Sequence, residues 1–135
     1  MTHWIRAGTV YCLTVFAFAF ALGTVRVLWV TPRVGPVIAV LLETPLVLLA
    51  GWAVARWIIR RGPPGNLVDR ALMGGVAFGL LMALEFGLGA ALGRPVGDQL
   101  AGMQTPAGVI GLAGQMGFAA IPVVQWLLDG RRELR

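Results

Sequence analysis

The sequence contains no serine and no lysine, and His3 is its only histidine. A hydrolytic triad needs a nucleophile and a histidine base, and a phosphate-binding loop needs a lysine beside its glycines. His3 also lacks a set of cysteines, histidines and carboxylates around it at metal-ligand spacing. We therefore expect this protein not to be an enzyme, and we expect no metal site and no cofactor.

Cysteine is equally scarce, because Cys12 is the only one. A single cysteine cannot form an internal disulfide, and inside an apolar segment it more often behaves as a small buried hydrophobe than as a reactive thiol. We therefore expect no redox role for Cys12.

Charge is the third shortage, since only 13% of the 135 residues are charged whereas 58% are hydrophobic. A soluble domain has about 25% charged residues, so this composition predicts a membrane protein. The net charge of +5 comes from arginines that stand almost wholly at the ends of apolar segments. There they can meet anionic headgroups of the lipid bilayer, so we expect lipid and not nucleic acid as the partner of this charge.

Four apolar segments are long enough to span a bilayer as helices, which takes about 20 residues. They lie at about residues 7–30, 34–59, 69–92 and 106–128. We expect an all-α integral membrane protein with four transmembrane helices arranged as two tightly connected hairpins. Residues 1–135 then form a single membrane domain, and apolar residues at helical spacing predict a short surface segment at about 96–104.

Several residues predict where the helices end, are capped or bend. Thr31 and Pro32 are expected to end the first helix, because proline lacks the N–H that a helix interior needs. Asp69 is expected to cap the third helix. Pro45 and Pro122 lie inside the second and fourth helices and predict a kink in each.

The first segment also has an alternative interpretation. An arginine before an apolar run, with an Ala-x-Ala pattern at residues 19–21, is typical of a secretory signal peptide. The apolar run is longer than the usual signal core of roughly 7–15 residues, which favours a helix that stays in the membrane.

Small residues recur every three or four positions in the third and fourth helices. Glycine at this density lowers helix propensity in water, but in lipid it lets two helix backbones approach closely. We therefore expect these two helices to make the closest contact. The residues expected to mediate it are Gly75, Gly79, Gly111 and Gly114.

The arginines also predict an orientation. With four spans, both termini and the middle connection lie on one side of the membrane. That side carries Arg6, Arg56, Arg60, Arg61, Arg70, Arg131, Arg132 and Arg135, whereas the other side carries Arg33 and Arg94. The positive-inside rule then places both termini in the cytoplasm, in an inner membrane of bacterial type.

Each predicted helix places one polar side chain in the outer half of the membrane. With about 1.5 Å of rise per residue, Arg26 lies about 12 Å outward of the midplane and Gln115 about 4–5 Å outward. Glu43 and Glu85 each lie about 6 Å outward on the same rise. Charged groups inside spans are rare and usually face the protein interior, so these four residues form the candidate site.

Two interpretations of this polar layer stay open, and for Arg26 alone a third is that its side chain extends toward the outer headgroups. In the structural one, Arg26 pairs with a carboxylate and the cluster fixes the register of the helices. In the functional one, a single arginine cannot compensate both Glu43 and Glu85, and one of them exchanges a proton near neutral pH. Glu43 is the residue that we expect to carry function, because it lies deeper than Arg26 and next to the predicted Pro45 kink.

Two functions from different classes fit these observations. The first is an accessory or scaffolding subunit of a membrane complex, whose glycines pack against each other or against a larger protein. The second is a small oligomeric transporter or channel, in which Glu43 and Glu85 form a proton or cation site.

Overall fold

The computed structural model describes residues 2–134. All regular structure in this range is helical. The first helix, α1 (His3–Val25), continues through a π turn (Arg26–Val30) into the short α2 (Thr31–Val34). The remaining helices are α3 (Pro36–Arg60), α4 (Leu67–Ala91), α5 (Val96–Met103) and α6 (Pro106–Glu133).

Four helical stretches are long and apolar enough to cross a membrane, with mean hydropathies between 1.7 and 2.1. We number them as spans in chain order: His3–Val34, α3, α4 and α6. The prediction of an all-α, multi-pass membrane protein with four spans is therefore confirmed. A turn at Gly35 joins the first two spans into the first hairpin, and α5 lies between the two spans of the second hairpin.

The first span is longer than the sequence predicts, because Thr31 and Pro32 do not end it. Pro32 cannot donate to the Leu28 carbonyl, and its ring would press on that carbonyl in a regular α-helix. The backbone widens instead, and the Thr31 N–H donates to the Arg26 carbonyl five residues back. The helix passes the proline in this way and ends at Gly35, whose φ of +83° favours glycine.

The other helix ends lie closer to the predictions. The cap of α4 is Asn66 and not Asp69, because the Asn66 side chain accepts a hydrogen bond of 2.8 Å from the Asp69 N–H. The fourth span extends to Glu133. Pro45 and Pro122 lie inside α3 and α6, which continue past them, and a kink at either proline stays a prediction.

The four spans form a ring in which each packs against two others. The first and the fourth spans each contact the second and the third, so the first and fourth lie diagonally opposite. Because consecutive spans alternate in direction, both ends of the described chain and the connection at 61–66 lie together. We call this the terminal end, and the opposite end, with Gly35 and α5, the loop end.

Polar contacts tie all four spans together at the terminal end. Asp129 accepts hydrogen bonds from Arg56 on both carboxylate oxygens, at 2.8 Å, and from Arg70 at 3.4 Å. His3 Nε2 lies 2.9 Å from an Asp69 carboxylate oxygen. His3 therefore fixes the start of the first span to the start of the third.

The terminal half of the bundle packs around Tyr11, which crosses the diagonal from the first span to the fourth. The Tyr11 and Phe118 rings stack with centroids 4.3 Å apart, and the Tyr11 hydroxyl donates to the Phe118 carbonyl at 2.8 Å. Gly51 makes room for this layer, since a Cβ there would lie 3.3 Å from the Tyr11 hydroxyl oxygen. In lipid, such packing and hydrogen bonding hold helices together.

Most of the glycines singled out for helix packing do not pack within the described chain. A Cβ placed on Gly75, Gly79 or Gly111 would meet no other atom within 4 Å. Gly114 does pack, because its Cβ would lie 2.9 Å from Thr44 Cγ2 on the second span. Gly114 therefore packs against the second span and not, as expected, against the third.

The third and fourth spans do approach closely, but through a neighbouring residue. A Cβ on Gly74 would overlap the Ala119 carbonyl of the fourth span. Gly8 makes the corresponding contact between the first and third spans, since a Cβ there would lie only 2.7 Å from the Met73 carbonyl oxygen. One residue corresponds to about 100° of rotation around a helix, so the face that packs runs through Gly74 and Gly75 turns outward.

Candidate functional site

The loop half of the bundle opens into a cavity of about 810 Å³. All four spans line it, together with residues of α5. The polar residues singled out from the sequence each reach it from a different span: Arg26, Glu43, Glu85 and Gln115. Phe118 closes the cavity toward the packed layer around Tyr11.

The cavity is open because the two hairpins separate at the loop end. Within residues 2–134, the π turn and α2 contact only parts of the first hairpin, and α5 contacts only the second. Leu28 on the first hairpin and Leu92 on the second both line the cavity, and they are 63% and 72% exposed. The mouth therefore lies between the two hairpins.

One wall carries an ion pair. Arg26 Nε donates a hydrogen bond to the Glu43 carboxylate, which links the start of the π turn to the second span. Gly23 lies beside this contact, since a Cβ there would be in ordinary van der Waals contact with Glu43 Oε1 at 3.6 Å. The side chains of Arg26 and Glu43 are 29% and 17% exposed, so each charge is largely shielded from solvent and compensated by the other.

The facing wall carries a carboxylate without a counter-charge. Gln115 Nε2 lies 2.7 Å from both carboxylate oxygens of Glu85, which joins the third span to the fourth. An amide donates hydrogen bonds but adds no charge. No salt bridge to Glu85 occurs within residues 2–134. The Gln115 carbonyl oxygen is buried and has no hydrogen-bond partner in the same range.

This geometry makes Glu85, and not Glu43, the candidate functional carboxylate. Both carboxylates border the same cavity, and the sequence places them at the same depth. Arg26 lies against Glu43, however, so Glu85 is the one that remains uncompensated. Which of the two meets Arg26 depends on how the spans are rotated and paired, and this does not follow from their positions along the chain.

Two polar residues at the mouth were not predicted from the sequence to belong to the site. Arg94 and Gln99 both line the cavity. The Gln99 amide donates to the Arg94 carbonyl at 3.1 Å and, at 3.4 Å, to the Phe86 carbonyl. Gly89 permits this arrangement, because a Cβ there would overlap the Gln99 side chain. These contacts hold α5 against the end of the third span.

Aromatic side chains form much of the remaining wall. Four phenylalanines line the cavity: Phe16, Phe20, Phe86 and Phe118. Phe16 and Phe20 lie one turn apart in α1, with ring centroids separated by 6.2 Å. In an apolar sequence such residues look the same whether they face lipid, core or a cavity, so the sequence did not distinguish them.

No protein-family model, no curated protein and no solved structure matches this chain. The chemistry of the cavity is therefore that of its own residues. Its volume falls within the range of about 300–1,000 Å³ that is typical of small-molecule sites. A carboxyl group inside such a cavity can hold either a proton or a cation, and it can exchange one for the other.

Proposed function

We propose that the protein is a small proton- or cation-linked transporter in which Glu85 is the binding group. The observation that carries this proposal is the position of Glu85, an uncompensated carboxylate on an open cavity between the hairpins. A transporter needs a space that its substrate can enter and a group whose charge changes with what is bound. Glu85 and the cavity meet both requirements, whereas Glu43 is held by Arg26.

The arginine distribution supports an orientation with both termini in the cytoplasm, in an inner membrane of bacterial type. In that orientation the cavity faces outward. The packed layer of Tyr11 and Phe118 would then lie on the cytoplasmic side of the cavity, and we interpret this conformation as an outward-open state.

Proton exchange in liposomes tests this proposal. Purified protein is reconstituted with a pH-sensitive dye in an acidic lumen, and sodium, potassium or a small ammonium ion is added outside. We expect at least one cation to drive proton release, and Glu85→Gln to slow that release by about tenfold or more, since it removes the charge that binds the cation. Glu133→Gln is the matched control, because Glu133 has the same charge but does not line the cavity.

The transport proposal fails if no cation releases protons faster from wild-type liposomes than from Glu85→Gln liposomes. It also fails if Glu133→Gln slows the release as much as Glu85→Gln does, because the effect would then not come from the cavity.

A second candidate function is an accessory or scaffolding subunit, and one face of the third span favours it. Small residues recur at every fourth position of this face and are all exposed: Gly75, Gly79, Ala83 and Gly87. A Cβ on any of the three glycines would meet no atom within 4 Å. Small residues at this spacing let another helix approach closely in lipid, which suits contact with a second copy or with a larger subunit.

Gly79→Leu tests the second candidate. Its side chain has free space within the chain, so a loss of self-association or of a stoichiometric subunit would come from contact with another molecule. Gly114→Leu is the contrasting variant, because it collides with Thr44 inside the chain. If Gly79→Leu leaves both the oligomeric state and the co-purifying subunits unchanged, this face serves no assembly.

A further inference from the structure

We propose that the cavity takes an amphipathic organic cation, a molecule with one ammonium-type charge and an apolar, aromatic body. This inference rests on the proposal that Glu85 is the cation site, and it adds the chemical class of the ligand. Size, wall chemistry and charge distribution each support it.

The size of the cavity exceeds what an inorganic ion needs. A water molecule has a share of about 30 Å³ in the liquid, so even a hydrated metal ion would leave most of the 810 Å³ unfilled. Sites of this volume usually enclose most of the surface of a drug-sized molecule. The cavity therefore has room for an organic molecule, whereas a proton or metal ion alone would leave most of it to water.

The walls favour an apolar and aromatic body on that molecule. Phenylalanines line the cavity from the first, third and fourth spans, and aliphatic residues such as Leu48, Leu81 and Leu112 complete the wall. The face of an aromatic ring also attracts a cation electrostatically, most strongly where water is excluded. An aromatic cation would gain from both contacts.

The charges within the cavity favour a cation over an anion. Arg26 is neutralised by Glu43, which leaves Glu85 as the uncompensated charge of the inner part. The Gln115 carbonyl oxygen, which is buried and has no partner within residues 2–134, adds the negative end of an amide dipole near Glu85 without itself being exposed to the cavity. Both groups would stabilise a positive charge and repel a negative one.

Arg94 does not reverse this preference, because its charge lies at the mouth. A Cβ on Gly102 of α5 would lie 3.7 Å from Arg94 Nη2, which places the guanidinium beside the surface helix. At an open mouth its field is screened by salt over a Debye length of about 8 Å.

The experiment compares two probes of nearly the same shape and opposite charge, tetraphenylphosphonium and tetraphenylborate. Equilibrium binding of each is measured on purified protein in detergent. We expect saturable binding of the phosphonium and much weaker binding of the borate. Glu85→Gln should weaken the binding of the phosphonium by about tenfold or more, since the carboxylate that attracts its positive charge is lost. Glu133→Gln should leave both affinities unchanged.

Phe20→Ala gives a second test that does not depend on the folding of Glu85→Gln. Phe20 lines the cavity but is 53% exposed, so its truncation should leave the fold intact while removing aromatic wall. We expect about threefold or more weaker binding of the phosphonium, in line with the loss of one cation–π contact. Equal affinity of the wild-type protein for the two probes, or no effect of either cavity variant, would overturn the inference.

The outcome is separable from that of the transport proposal. Charge-selective binding of the phosphonium without proton exchange in liposomes supports the ligand class and refutes transport. Proton exchange driven by sodium or potassium without any binding of the phosphonium refutes the ligand class and leaves the transport proposal standing.

Discussion

Glu43→Gln should destabilise the protein, because it leaves Arg26 without its counter-charge on the wall of the cavity. Removing one member of a fully buried ion pair costs about 3–5 kcal/mol in soluble proteins. This pair is not fully buried, since the Arg26 and Glu43 side chains are 29% and 17% exposed. The Arg26 side chain can also extend toward the lipid headgroups at the loop end once it is released. We therefore expect a loss of about 2 kcal/mol in the free energy of unfolding.

A double-mutant cycle isolates the interaction within the pair. Arg26→Gln alone should destabilise by a similar amount, because it strands Glu43. The double variant should recover much of the loss, since two glutamines can hydrogen-bond in place of the charged groups. The free energy of unfolding is measured by titrating the detergent-solubilised protein with sodium dodecyl sulfate. Glu85→Gln is the matched control, and we expect it to cost less than about 1 kcal/mol, because it breaks no ion pair.

Two results would refute this reasoning. The ion pair is not stabilising if Glu43→Gln costs no more than Glu85→Gln. The pairing of these two residues is also wrong if Arg26→Gln does not recover stability in the double variant. In either case Glu43 would again be available as a functional carboxylate.

Three further predictions concern packing and orientation. Gly74→Leu should prevent folding, since its side chain would collide with the Ala119 carbonyl, whereas Gly75→Leu should keep the wild-type expression level and helicity, because a side chain there meets no atom of the same chain. Tyr11→Phe should lower the free energy of unfolding by about 1 kcal/mol, because it removes the hydrogen bond to the Phe118 carbonyl, and a loss near zero would contradict that role. Cysteines introduced at either terminus should react with an impermeant reagent only after the membrane is opened, and labelling in intact cells would overturn the proposed orientation.

The sequence predicts elements better than it predicts their ends. Hydropathy and length identify all four spans, because the bilayer selects for long apolar stretches. The end of the first span was misplaced at Thr31 and Pro32, since a π turn accommodates the proline inside the helix. The cap at Asn66 was missed in favour of Asp69, which lies in the first turn and donates its N–H to that cap.

Some buried polar residues were also missed. Gln125 is fully buried, and its side-chain amide donates to the Trp52 carbonyl at 2.9 Å. A glutamine in an otherwise apolar stretch was the sequence feature that could have predicted a buried hydrogen bond here. The role of Tyr11 had no comparable signal, because its partner Phe118 lies in the last span and on the opposite side of the bundle.

Sequence alone is enough to identify a four-span α-helical membrane protein and to select the polar residues that border one cavity. Both results depend on properties that add along the chain, which are hydropathy, segment length and rise per residue. The folded structure is needed to show that Arg26 meets Glu43, that Glu85 stays uncompensated, and that Gly74 packs while Gly75 turns outward. These outcomes depend on how each span is rotated and which spans are neighbours. Contacts between spans far apart in the chain set the rotation, and a rotation of about 100° exchanges one residue for the next.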